Sequence, residues 1–227
     1  MKQRLFLIFY IVLFSGQLLA KDLEDAVAAM RVGDFAEAYC IMQPLAQAGD
    51  ADAQYNIGWM YLNGYGLRTN ENLALEWWQK ASEQGHADAN FSIAMLYDLG
   101  DGDVREDHSK AIDYYLLAAN DGQDDAIAIL KSMMLRGDKS ILGRMHSILE
   151  EHGKDYGVYR TVKARKLNAR RGPSVNDEII TQLLSGQNVL ELFKQGKWSQ
   201  VALLEDTKFE GTVWVYNPLL DNVAEEN

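Results

Sequence analysis

Five carboxylates crowd one short stretch of the chain: Asp98, Asp101, Asp103, Glu106 and Asp107. A hard cation such as calcium takes clustered carboxylates as ligands. Gly100 and Gly102 sit inside that stretch, and the same pair stands 36 residues earlier as Gly64 and Gly66, in a loop (NGYGLRTNE) that lacks the acids. The glycines therefore mark a structural turn that the acids decorate, and no metal site is expected. The histidines, His86, His108, His146 and His152, show neither HExxH spacing nor a neighbouring cysteine, and neither a GxSxG elbow nor a phosphate loop occurs. His86 occupies a position held by Asp50 and Gln123 in flanking segments, which reads as a polar turn residue. Carboxylates for acid–base work are plentiful, but nothing singles out a pair. No catalytic residue and no cofactor is expected. The single cysteine, Cys40, excludes an internal disulfide and a Cys-rich zinc site. It reads either as a small semi-buried filler or as a link to another chain in an oxidising compartment.

A second concentration of charge is basic. Arg160, Lys163, Arg165, Lys166, Arg170 and Arg171 follow one another with no acid between them. They form either a solvated strand face, or a clamp on the acidic part of the chain, or a site for an anionic partner such as wall polymer or lipid headgroup. The last of these carries a strong salt dependence. The remainder of the chain is acidic. With 22 Lys+Arg against 33 Asp+Glu the formal net charge is -11, which argues against a general nucleic-acid binder. Residues 21–156 carry 11 basic and 24 acidic side chains, whereas 157–227 carry nine of each, so the charge divides the chain in two.

These residues must be held by elements. Lys2 and Arg4 precede an apolar run from Leu5 to Phe14, followed by Ser15, Gly16 and Ala20, which reads as a signal peptide over 1–20 cleaved after Ala20. An uncleaved anchor is the alternative, but the run to Ala20 is shorter than the roughly 20 residues a span needs. No cysteine follows, so a lipoprotein is not expected. Export with no transmembrane span after cleavage is the expectation.

The middle of the chain repeats itself. ADAQYNIGWMYLNGYG (51–66) lies over ADANFSIAMLYDLGDG (87–102), and ALEWWQKASEQGHADA (74–89) lies over AIDYYLLAANDGQDDA (111–126) with one residue inserted. A period in this range signals stacked helix pairs. Ala53, Ile57, Met60 and Tyr61 fall on one apolar helical face. Asn70, or Thr69, is the N-cap of the next helix, which Gly85 ends. Trp77 and Trp78 are adjacent, so one packs and the other lies nearer the surface.

These strings resemble the Sel-1-like repeat, a relative of the tetratricopeptide repeat. The resemblance is specific over 51–123 and weaker over 22–50. It is weakest over 124–152, a degenerate closing pair. It implies a right-handed α-solenoid of helix pairs (22–50, 51–86, 87–123, 124–152) used for protein–protein interaction without catalysis. In such repeats the first helices line the concave face. Carried onto this chain, that face comprises Asp52, Tyr55, Trp59 and Asn63, then Asp88, Phe91, Met95 and Leu99. Tyr55, Trp59, Phe91 and Met95 make an apolar stripe suited to anchoring a partner. The alternative is that Tyr55 and Phe91 pack between helices.

After His152 the pattern changes to short alternating strands, with a joint over 153–158. Five or six strands suggest a small barrel. The order LNARRGPS, LLSGQNVLEL, GKWSQV, GTVWV resembles a bacterial SH3-like domain over 157–220, the domain proper spanning 159–220 and an acidic tail following over 221–227. The ALLEDTKFEG segment is longer and more acidic than the usual hairpin. Trp198 and Trp214 are expected to brace the barrel. The resemblance implies a module that binds cell-wall peptides or other proteins, or is only a folded unit. The composite expectation is a multidomain α plus β chain: an exported, non-enzymatic adaptor. Its groove would hold a protein partner in the cell envelope, and its SH3-like domain would dock to the wall or to a second protein. Two alternatives stand beside it: a peptidoglycan binder with the solenoid as spacer, and an accessory subunit of an envelope motor or secretion complex.

Overall fold

The computed structural model describes residues 22–204 and 211–222. The expected leader (1–20), residues 223–227 of the tail and the acidic segment 205–210 lie outside the described residues. The chain divides into two compact units after Gln123.

The first unit is a helical solenoid: α1 (22–32), α2 (Phe35–Gln47), α3 (Ala51–Asn63), α4 (Glu71–Ser82), α5 (Ala87–Leu99) and α6 (His108–Asn120). Each helix from α2 to α6 opens on a polar side chain that accepts a hydrogen bond from a first-turn N–H. The caps are Asp34, Asp50, Asn70, His86 and Asp107. Asn70 caps α4 by accepting from Leu73 N at 2.9 Å. His86, read as a turn residue, caps α5 through Nδ1, which accepts from Ala89 N at 3.2 Å. The expected face of α3 is buried at Ala53, Ile57 and Met60, with Tyr61 half-buried. Trp78 is the buried member of the tryptophan pair; Trp77 lies nearer the surface under the Lys80 ammonium.

The repeat is visible in its contacts. A Cβ on Gly66 would stand 3.0 Å from Phe35 Cβ, and one on Gly102 would stand 2.5 Å from the Glu71 carboxyl carbon. Phe35 and Glu71 each open the second helix of a pair, so each inter-helix loop rests on the helix one repeat back. The close approach and the positive φ of both glycines (+70° and +52°) leave no room for a side chain. Buried amides then join the turns of successive pairs. Gln54 donates to Ala46 O (3.1 Å) and accepts from Gln84 (2.8 Å). At the equivalent position Asn90 accepts from Ser82 (2.6 Å) and donates to Asp121 (3.1 Å). A buried amide left without partners costs more than a solvated one, so these pairs fix the stacking register.

The second unit holds α7 (Asp124–Arg136), α8 (Lys139–Tyr156) and an antiparallel sheet. Its strands are β1 (Val158–Val162), β2 (Lys166–Arg170), β3 (Ile179–Leu184), β4 (Asn188–Gln195), β5 (Trp198–Leu203), β6 (Thr212–Tyr216) and β7 (Leu220–Asn222). Their order is β3-β2-β6-β5-β4-β1-β7. Val162, Leu167, Ala169, Leu183, Val189, Val201, Leu203, Val213 and Val215 form one core drawn from β1 through β6. Strands this far apart in one sheet reach a common core only if the sheet curls strongly. The stretch expected to be a joint is not a loop. α8 continues through it to Tyr156 with a kink at His152 (φ -127°, ψ 18°), and β1 begins at Val158. Gly157 alone turns the chain, against the Glu191 carbonyl, where a Cβ would collide. The pair over 124–152 thus belongs, by its contacts, with the sheet. Trp198 and Trp214 do not sit in the sheet core. Trp214 alternates with the buried Val213 and Val215, the pairing of Trp198 with Tyr216 puts Trp198 on the same face, and the two rings pack against Phe193 and Tyr216 respectively.

Candidate functional site

In the first unit, one face of α3 and the matching face of α5 bound an apolar groove of about 360 Å³. Five of the residues placed there by the repeat analogy line it: Tyr55, Trp59, Phe91, Met95 and Leu99. Leu62, Trp78, Ser92, Leu96 and Asp101 complete it. The walls are aromatic and held on their backs. Tyr55 stacks on the His86 ring at 4.8 Å, Trp59 leans on Tyr65 at 4.7 Å, and Phe91 lies 5.8 Å from Tyr115. Trp78, 1% exposed, donates its indole N–H to Tyr55 O at 3.1 Å. This places a large ring under α3 at Gly58, the one residue there without a side chain. Tyr115 reaches Met95 Sδ at 3.1 Å and Asp98 at 3.4 Å. Burial, aided by Asp98, lifts the Tyr115 phenol far above its ordinary range; burial, then Asp88, raises Tyr55. Both phenols are neutral at physiological pH. Leu99 stands 68% exposed at the groove's end. Braced aromatics around an apolar floor bury an apolar anchor at little cost in side-chain entropy.

Asp52, Asn63 and Asp88 are not in the groove lining. His86 Nδ1 accepts its cap bond, so Nε2 carries the proton and donates to Asp52 Oδ1 at 3.1 Å. Asp88 accepts from Gln123 Nε2 at 2.8 Å. These are equivalent ties, one repeat apart. Asn63 donates to Trp59 O at 2.9 Å within its own helix. Leu62, three residues after Trp59, was within reach of helical spacing. Trp78 comes from the other helix of the pair, which only packing reveals.

The basic run is largely spent inside the second unit. Arg160 pairs with Glu191 at 2.8 Å, Lys163 with Asp221 at 3.1 Å and Arg171 with Glu178 at 2.8 Å; Arg170 donates to Asp177 O at 2.7 Å. Glu191 is buried and also accepts from the Ser199 hydroxyl. Arg165 and Lys166 remain exposed. Lys166 and Arg170 edge a second groove, of about 280 Å³, on the outer face of the sheet with Val175, Trp198 and Tyr216. In the acidic stretch, His108 takes Asp98 (3.0 Å) and Glu106 (2.7 Å), and Asp107 caps α6. Cys40 is exposed on α2 rather than semi-buried. No helix among the described residues is long and apolar enough to cross a membrane.

A solenoid of helix pairs with an apolar groove on its first helices defines a helical-repeat protein. Two of its repeats are Sel1 repeats: the Sel1 repeat model matches residues 51–86 and 87–123. Such repeats typically serve as protein-interaction scaffolds. No curated protein matches the chain. Among solved structures, the chain is similar to a Sel1 repeat protein from Oxalobacter formigenes. That likeness is 21% identical with a TM-score of 0.50, over 59% of this chain and 55% of the other. It is also similar to a protective antigen present in uropathogenic Escherichia coli strains (24%, TM-score 0.48, 60% and 34%). A third similarity is to the cysteine rich protein B of Helicobacter pylori (17%, TM-score 0.40, 49% and 93%). The chain spans about half the length of the first of these. The first likeness bears on the fold alone.

Proposed function

We propose that this chain is an exported, non-enzymatic adaptor. The groove between α3 and α5 takes a segment of a partner protein in the cell envelope. The C-terminal sheet is an SH3-like module that docks to the wall or to a second protein. The observation that carries this reading is the convergence of Tyr55, Trp59, Phe91, Met95 and Leu99 on one apolar groove with an exposed end. An apolar concavity with aromatic walls and no reactive constellation is built for binding.

A second reading makes the sheet the binder of peptidoglycan and the solenoid its spacer. It draws on the aromatic and cationic groove of Lys166, Arg170, Trp198 and Tyr216. Fractionation of cells expressing the full chain separates the two. Under the adaptor reading, Trp59→Ala or Leu99→Asp abolishes co-fractionation of the partner protein while the chain itself stays with the envelope through its sheet, and a combined Arg170→Ala, Arg171→Ala variant still captures the partner. The reverse pattern refutes the groove and favours the sheet. Hydrolysis of wall fragments by the purified protein overturns the non-enzymatic assignment.

A further inference from the structure

The groove's surroundings specify the charge of what it holds. Residues 22–123 carry 18 Asp and Glu against five Lys and Arg, so the excess acid of the chain lies in the unit that contains the groove. None of those five cations lines it. Two are engaged elsewhere: Lys80 lies 3.9 Å over the Trp77 ring, and Lys110 lies 3.7 Å from Asp107 and 4.9 Å over the Tyr97 ring. The groove does contain an acid, Asp101, exposed and beside the equally exposed Leu99 end. Asp52 and Asp88 stand one turn before Tyr55 and Phe91 on the same helices. The Asp52 side chain is 66% exposed, and its tie to His86 uses one carboxylate oxygen. The apolar floor is thus bordered by carboxylates, no Lys or Arg is among the residues that line it, and the neutral phenols of Tyr55 and Tyr115 add no charge.

We propose that the occupant is a cationic amphipathic segment of a partner protein. One large apolar side chain seats between Trp59 and Met95, and flanking Lys or Arg residues meet Asp101 and Asp88. This rests on the groove reading above and deepens it. An acidic segment would bring like charges together at the rim, which suppresses binding, whereas a basic one is steered in and held. The attraction is electrostatic and exposed, so it weakens as salt rises.

The test is a selection with the full chain against displayed random twelve-residue segments, counter-selected on Trp59→Ala and, at a fold-neutral exposed site, on Leu99→Asp. Groove-dependent clones should combine an aromatic or leucine anchor with a severalfold excess of Lys and Arg over Asp and Glu. As synthetic peptides they should lose about tenfold in affinity on Asp101→Asn or on raising the salt from 50 to about 500 mM. Groove-dependent clones without a cationic bias, or without that loss, overturn the charge assignment and leave the groove standing. A selection that yields no groove-dependent clone overturns both.

Discussion

Gly58→Ala is the sharpest test of how the groove is built. An added Cβ at position 58 would stand 2.6 Å from Trp78 Cδ1 and Nε1 and 3.0 Å from Ala74 O. Carbon contacts settle near 3.5–4.0 Å, so the indole must retreat by about 1 Å. It is 1% exposed and donates to Tyr55 O, so any retreat into the groove disrupts both its packing and that bond. Overpacking of this kind costs about 1–3 kcal/mol, and the weakened indole hydrogen bond adds about 1 kcal/mol. Better helix propensity returns about 1 kcal/mol. The net expectation is a loss of about 2 kcal/mol, read as a lower urea midpoint by circular dichroism. The neighbouring repeat suggests the remedy: where this one has Gly58 and Trp78, the next has Ala94 and Tyr115, both fully buried. Trp78→Tyr should therefore rescue Gly58→Ala, the double variant being at least about 1 kcal/mol more stable than the two single losses summed. If Gly58→Ala stabilises the protein by its helix propensity, or if the two changes are additive, the packing argument is wrong.

Three further outcomes follow from other contacts. His86→Ala removes both the α5 cap and the tie to Asp52 and should cost about 1–2 kcal/mol in urea, most of which His86→Asn restores by keeping the cap. Burial pushes Tyr156 up to about 12, the hydrogen bond with Tyr61 lifts Tyr39 to about 12, and burial raises Tyr115 further. The fold holds these phenols neutral, so their contribution to stability is complete below pH 10 and falls as pH climbs towards 12. Phenolate absorbance that titrates wholly at the free-tyrosine value in the native protein would contradict this. Gly157→Ala drives a methyl into the Glu191 carbonyl at the α8–β1 turn and should cost about 2–3 kcal/mol; an unchanged thermal midpoint would contradict the contact.

The solenoid was legible because its period is written in identical residues: Ala53, Ile57 and Tyr61 against Ala89, Ile93 and Tyr97. The resemblance to the repeat family named the groove's aromatic walls, and helical spacing set which residues share that face. It could not say which polar residues on that face were already engaged. Asp52 and Asp88 border the groove, but each also holds a partner, His86 and Gln123, that lies 34 and 35 residues away. Trp78 was missed for a related reason, because it enters from the second helix through the gap at Gly58. The basic run misled by its purity. No acid stands within it, yet Glu191, Asp221 and Glu178 reach it across the sheet. The joint at 153–158 looked like a linker because Gly153 and Gly157 are poor helix formers, but packing carries the helix to Tyr156. Trp198 and Trp214 were expected to brace the barrel; they pack on it from outside the core, which β6 supplies with Val213 and Val215.

Photocrosslinking in the native cell from position 99 asks whether the groove holds a partner protein, with position 32, 81% exposed and outside the groove, as the reference. A partner seated in the groove gives a protein adduct from position 99 that is absent from position 32 and disappears in the Trp59→Ala background. An adduct that forms equally from both positions or survives Trp59→Ala, or the absence of any adduct from position 99, would contradict it.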